Sequence, residues 1–551
     1  DFTGDGQASM AERASFQDAA LNLRNSVMTP RATALLPVQG PPRIERRARL
    51  SVRAADALDA ILVIIPIDAS PAVFAALPHA QTWRQMHAGP AGRRSLQEPQ
   101  PAPRTGQAPL RSINLANSRQ TRLILGVLPR NASAYETLSL AGRMARELGP
   151  CTPGALALAA PADPTGVQDR ALEALLSATL AGAFEMPSFR SARKRAAALR
   201  QVFVVGGSLD LRRILIASQA NSLARWLTAL PPNKLDATGY QRVLRELARR
   251  HGLKFRWRSE ADLKRLGAGA FLAVSQGNAR RTAGIAQLSY RPTRHRGRID
   301  VALVGKGVLF DTGGTNLKSH RGMLDMHTDM NGSAVALATL CALAEQRSPL
   351  AVDAWLAITE NRTGSEAFVP QDVVTAVNGT SIQVIHTDAE GRMVLADTLA
   401  LASRTQPALI VDFATLTGAC VTALGERMSG IFVQPPTLAT AALAAGESSG
   451  ERVWNFPLDA DYDAELESRI ADVMQCTSDS KADHILAARF LSRFVPAATA
   501  WIHMDLSAAV RSGGLAHINT DITGFGVRYA LELLRGGTLA LLPLPREKPR
   551  P

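Results

Sequence analysis

Cysteine is scarce. The four, Cys151, Cys341, Cys420 and Cys476, are scattered and form no CxxC pair. That argues against a disulfide scaffold and a zinc knuckle, and it fits a reducing compartment, expected here to be the cytoplasm. Aromatic residues make up only 5% of the chain. No basic block is interleaved with them, so the stacking surface of a single-strand nucleic-acid binder is missing. No stretch reaches the roughly 18 consecutive apolar residues of a membrane-spanning helix. The most apolar run, 60–66 (AILVIIP), has the length of a strand. Lysine is also rare, with 8 of the 62 basic side chains against 54 arginines. Each lysine is therefore informative.

The 551 residues are 46% apolar and 20% charged, a composition that folds. At roughly 100–200 residues per domain, two to four domains fit. The net charge is +14. Residues 1–215 carry 26 basic and 16 acidic side chains, so most of the excess lies there. Such an excess can serve DNA or another anionic partner, but the arginines are spread along the chain rather than massed.

Residues 1–50 are polar and Arg-rich, and are read as a loose basic tail. Arginine and serine would suit an organelle-targeting segment, whereas Glu12 and Asp18 do not. Residues 51–215 alternate β-rich runs (60–67, 121–127, 200–206) with a helical stretch at 134–148, as in a smaller N-terminal α/β domain. Residues 91–112, rich in Pro, Gln, Arg and Gly, read as an inserted loop. A larger second domain is expected over 216–551. Its first helix, 211–230, stops at Pro231-Pro232, and a second, 238–251, ends at Gly252. Strands at 253–256, 299–310, 352–358 and 408–413 alternate with helices at 260–266, 332–346 and 393–404. Both kinds of element are apolar, which predicts an α/β fold with a mixed central sheet covered by helices on both faces.

The run 299–310 ends abruptly in Gly305-Lys306-Gly307, then Asp311-Thr312-Gly313-Gly314, then Lys318. Ligands in α/β sheets bind beyond the carboxyl ends of strands. The GxxxxGK[ST] spacing of a phosphate loop is absent. Asp329 falls just before the apolar helix, near its positive end. In the segment 386–392, an extended backbone would place Asp388, Glu390 and Arg392 on one face. Five candidate ligands result: Lys306, Asp311, Asp329, Asp388 and Glu390. Four carboxylates can hold two divalent cations through shared oxygens, and a lysine, unlike an arginine, can give up its proton to become a nitrogen ligand. This set suits Mn2+, Zn2+, Mg2+ or Co2+ more than copper. His327 and His386 are read as lying outside the ligand set.

The segments VGKGVLFDTGGTNLK, MLDMHTDMNGSA and HTDAEGRMVLADTL closely resemble the metal-binding signature of the leucyl (cytosol) aminopeptidase family of metallopeptidases. The likeness continues through VDFATLTGACVTALG at 411–425 and, more weakly, LPPNKL at 230–235 and GAFLAVSQG at 269–277. The resemblance implies an aminopeptidase that hydrolyses the N-terminal peptide bond of peptides, using a water that loses its proton between two metals. It implies that Asp311 and Glu390 bridge the metals, that Asp388 completes one site, and that Lys306 and Asp329 complete the other, which also takes the substrate's amine. Lys318 would polarise the scissile carbonyl, and Arg392 would hold a bicarbonate-like anion acting as general base. The first side-chain pocket would be lined by Met326, Thr415 and Gly418, with Leu416 offering backbone contacts. A homohexamer is implied as well. Alternatives are a catalytically silent structural paralogue, or a peptidase with a secondary DNA-binding role.

The chain departs from the family pattern in places. His386 stands where an Asn is usual, Asn331 where a Gly is usual, and Pro370-Gln371-Asp372 where the family reads PGD. The family's Gly-rich stretch is here MQCTSDSKADHILAARFL, 474–491.

Overall fold

The computed structural model describes residues 35–88, 108–149, 153–162, 167–191, 198–293, 295, 297–479, 481–536 and 538. Strands β1 (Arg43–Arg47), β2 (Ala60–Pro66), β3 (Leu110–Asn114), β4 (Arg122–Leu128), β5 (Ala155–Ala159) and β6 (Gln201–Val205) form the first sheet. Their order is β1-β6-β5-β2-β4-β3, parallel throughout except for β3 against β4. Strand β2 is buried along its whole length, which its unbroken apolar sequence requires. Helix α1 (Ala134–Arg146) starts at a capping box, Ser133 with Glu136, and packs with α2 (Val167–Ala183) on this sheet.

Two expectations change here. The supposed tail is not loose at its end: Arg43–Arg47 pairs in register with Gln201–Val205, and Leu35 and Leu36 are buried in the main core. The supposed loop at 91–112 closes with β3, whose Leu110–Asn114 pairs antiparallel with β4. The rest of that loop, residues 1–34 of the tail, and Cys151 lie outside the described residues. Alternation in both segments is short and interrupted by arginine, so periodicity alone did not mark them as strands.

Helix α3 (Leu211–Thr228) begins at an Asp210 cap and joins the two sheets. The boundary expected at 215/216 falls inside it. Helix α4 (Ala237–His251) ends at Gly252, which takes the left-handed conformation with φ 64°.

The second sheet is built from β7 (Lys254–Ser259), β8 (Gly284–Tyr290), β9 (Val301–Asp311), β10 (Val352–Asn361), β13 (Leu409–Ala414), β14 (Ser429–Gln434), β15 (Val453–Asn455) and β17 (Ala500–Asp505). A small third sheet holds β11 (Val373–Thr375), β12 (Ser381–Gln383) and β16 (Val473–Met474). The large sheet runs β15-β14-β17-β13-β9-β10-β8-β7. Its four central strands are parallel; β8 and β7 pair antiparallel at one side, and at the other β14 runs antiparallel to β17 and parallel to β15. Helix α5 (Asn331–Glu345) covers one face and α6 (Glu390–Ser403) the other, each buried within its own apolar cluster. The sheet is therefore mixed and covered on both faces, as its sequence required.

Close approach dictates the glycines beneath α5. A Cβ at Gly332 would lie 2.0 Å from the Phe413 carbonyl oxygen, and one at Gly305 would lie 2.6 Å from Ser333 Cα. Both positions let the helix sit directly on β9 and β13.

Candidate metal centre

Lys306 sits midway along β9, paired in register with Ala357 of β10. It is buried, and its Nζ donates to Asp329 Oδ1 at 2.8 Å and to the Thr415 carbonyl at 2.8 Å. Glu390 Oε1 is 2.9 Å away. Asp311 ends the same strand, and the chain then turns through Gly313 and Gly314, both at positive φ. The turn returns Lys318, whose Nζ lies 3.0 Å from Asp311 Oδ2 and 2.6 Å from Asp388 Oδ1. Carboxylate oxygens of Asp311, Asp329 and Glu390 all lie within 4.8 Å of one another.

The charge of this cluster does not balance. Four carboxylates face two ammonium groups, largely out of water. Burial raises the pKa values of Asp329, Asp388 and Glu390, and mutual repulsion among the acids adds to it. Burial opposes the charge on Lys306, but Asp329, Glu390 and Asp311 together outweigh it and raise its pKa. The second oxygen of Asp329 is buried with no hydrogen-bond partner. An excess of buried negative charge and an orphaned oxygen are what a cation site leaves when only protein atoms are counted. The residues fit divalent cations.

The segment 386–392 is not extended. Ala389 leads into α6, which begins at Glu390. Glu390 and Arg392 thus lie two residues apart on a helix and point in different directions. Glu390 faces Lys306, whereas Arg392 Nη2 donates to Asp483 at 2.7 Å and its Nη1 to the Gln475 carbonyl at 3.2 Å. A shared face for Asp388, Glu390 and Arg392 is therefore corrected. The helix positions Glu390 better than a strand would, because its carboxylate gains from the helix's positive end.

Thr415 and Leu416 follow β13 directly. Thr415 Oγ1 donates to Asp329 at 2.8 Å. Asp505, at the end of β17, accepts from the Leu416 N–H at 3.1 Å and the Thr417 hydroxyl at 2.6 Å, and so fixes this loop. Gly418 is exposed, and a Cβ there would meet nothing within 4 Å. Met326 opens the half-buried turn that leads to Asp329. His386 is exposed, and its Nδ1 accepts the Asp388 N–H at 3.2 Å. His327 is half-buried in the same turn as Met326.

Several supporting residues escape sequence reasoning. Asn361, at the end of β10, donates from Nδ2 to Asp311 at 2.8 Å and to the Thr387 carbonyl at 3.1 Å. Thr387 donates to the Gly313 carbonyl at 2.6 Å, joining the loops that carry Asp311 and Asp388. Asp483, Gln475 and Asp505 also go unpredicted. The carboxyl-end position of Asn361 and Asp505 on central strands was the available signal. Gln371, where the family has glycine, keeps a left-handed backbone at φ 79°.

Comparison with known proteins places this geometry. The catalytic domain of the cytosol aminopeptidase family matches residues 222–531, more than half of the chain. A "Probable cytosol aminopeptidase" of Parasynechococcus marenigrum is 38% identical over 423 residues, covering 75% of this chain and 85% of that protein. One from Desulfovibrio desulfuricans is 37% identical over 387 residues, covering 68% and 76% respectively. Among solved structures, "Bottromycin maturation enzyme BotP in complex with Mn" superposes with a TM-score of 0.73 at 32% identity, over 88% of this chain and all of that one. The chain belongs to the cytosol aminopeptidase family of metal-dependent exopeptidases.

Proposed function

We propose that the chain is a two-metal aminopeptidase that hydrolyses the N-terminal bond of peptides. The observation that carries this is the buried excess of four carboxylates over two lysines at the carboxyl end of the central strands. Lys306, Asp329, Asp311, Asp388 and Glu390 would hold the cations. When bound, they would supply Lewis-acid charge and activate a water. With cations in place, Lys306 would be driven to its neutral, ligating form.

The remaining work falls to the protein. Lys318, partly accessible beside Asp311, would meet the oxyanion that develops on the scissile carbonyl. Arg392 would hold a bicarbonate-like anion beside the site, acting as general base. The Thr415–Gly418 loop, braced by Asp505, would orient the substrate backbone, with Met326, Thr415 and the open space at Gly418 receiving its first side chain. A silent paralogue would be expected to lack one of these groups, and none is missing. Manganese is favoured as a first metal to test, and the naming of relatives as cytosol enzymes favours the cytoplasm. A homohexamer, tested by light scattering, is part of the reading.

The test is hydrolysis of an amino-acid anilide with added Mn2+. Turnover is expected from the wild type and not from Glu390→Ala. Equal rates would reject the assignment.

A further inference from the structure

Arg392 is a buried cation whose charge is answered by the chain itself. It lies in the first turn of α6, 2% exposed, two residues after Glu390. Among the described residues, its one ion pair is with Asp483, at 2.7 Å. Its Nη1 reaches a backbone carbonyl, and its Nε is buried without an acceptor.

Asp483 is held there by its backbone. It opens helix α7 (Asp483–Ser492), directly after Ala482, which adopts the left-handed conformation at φ 50°. A residue with a Cβ rarely takes that conformation, and such outliers persist only where the surroundings impose them. Here the turn swings Asp483 back onto Arg392. Its side chain remains one-fifth exposed, so the pair has one face open to the solvent.

We propose that Asp483 is the resident anion of Arg392, filling the place that a dissolved bicarbonate-like anion would otherwise take, so that the reaction needs no added bicarbonate. This rests on the reading of Arg392 given under Proposed function. A carboxylate and bicarbonate present the same chemistry to a guanidinium: one negative charge over two oxygens. The tethered group needs no capture from solution and loses less entropy in binding. A second anion would have to share one guanidinium with Asp483, and two like charges at that separation repel. In that place Asp483 would take over the general-base part, one carboxylate oxygen held by Arg392 and the other receiving the proton.

The test uses the full chain in CO2-free buffer, with Asp483→Gly and the shape-preserving Asp483→Asn. Bicarbonate is first titrated into metal-free protein and followed by calorimetry. The wild type is expected to bind none, and the variants to bind. Hydrolysis is then measured with Mn2+ present. The wild-type rate should change by less than about twofold on adding bicarbonate, while the variants should fall roughly 10- to 100-fold and recover when it is added. Bicarbonate binding by the wild type, a wild-type rate that requires it, or variants that neither bind it nor recover would overturn the inference. A wild type inactive in every buffer would reject the peptidase reading instead, and the metal-free titration would still decide whether Asp483 fills the anion position.

Discussion

Lys306 and Asp329 meet at 2.8 Å in the interior of the protein, one from the middle of β9 and the other from the turn that leads into α5. Neither would be tolerated alone at that depth. Their meeting depends on how closely α5 lies on the sheet, and that distance is set by Gly332 and Gly305. Gly332→Ala would drive a methyl group into the Phe413 carbonyl. It should cost about 3 kcal/mol of stability, measured by urea unfolding, since the obstacle is backbone and cannot swing aside.

Asn361 donates to Asp311 and would orient it as a ligand without being one itself. Residues in that position typically contribute 10- to 100-fold to metal affinity, so Asn361→Ala should weaken Mn2+ binding by about that factor. Calorimetric titration of the metal-free variant reads it directly. An unchanged affinity would place Asp311 outside the cage.

Lys318 separates binding from chemistry. Its amine contacts Asp311 and Asp388 but stands at the accessible edge of the cluster. Lys318→Met should retain wild-type metal content while kcat falls roughly 100- to 1000-fold, the usual cost of losing an oxyanion donor. Metal analysis beside steady-state kinetics distinguishes this from loss of the site.

A different acid gives stability a pH dependence. Glu451 is buried and accepts the Gly526 and Tyr529 N–H groups at 2.9 and 2.8 Å. Burial pushes its pKa up to about 7, although those two hydrogen bonds pull it down. The folded-state value lies above the ordinary 4.5, so between the two the folded chain holds a proton that the unfolded chain has lost. Stability should therefore decline as pH rises from about 4.5 to 7 and level off above, by an order of about 3 kcal/mol at most from this group. Glu451→Gln should flatten that part of the stability profile. A slope unchanged in the variant would assign it to other acids.

Much of this was legible in the sequence because the strongest signals coincide with the site. Apolar β9 and α5, with the polar residues and glycines that interrupt them from Gly305 to Gly314, announce a site on this strand without any structure. The acids and arginine of 386–392 recur at a spacing of two, which suits a strand, whereas the apolar residues from Met393 onward belong to a helix that starts at Glu390. The edge strands β1 and β3 stayed hidden since they are half exposed and carry arginine, so no apolar alternation marks them. Asn361 and Asp483 gave no motif of their own. Their roles arise from chain segments brought together by the fold, 50 residues from Asp311 and 91 from Arg392.

The central claim is that one lysine and four carboxylates cage a pair of cations. The most direct measurement is anomalous scattering from crystals of the full chain grown with Mn2+. Two peaks about 3.5–4 Å apart should stand between Lys306, Asp311, Asp329, Asp388 and Glu390. A single peak, or none at these five residues in a crystal saturated with Mn2+, would contradict the account.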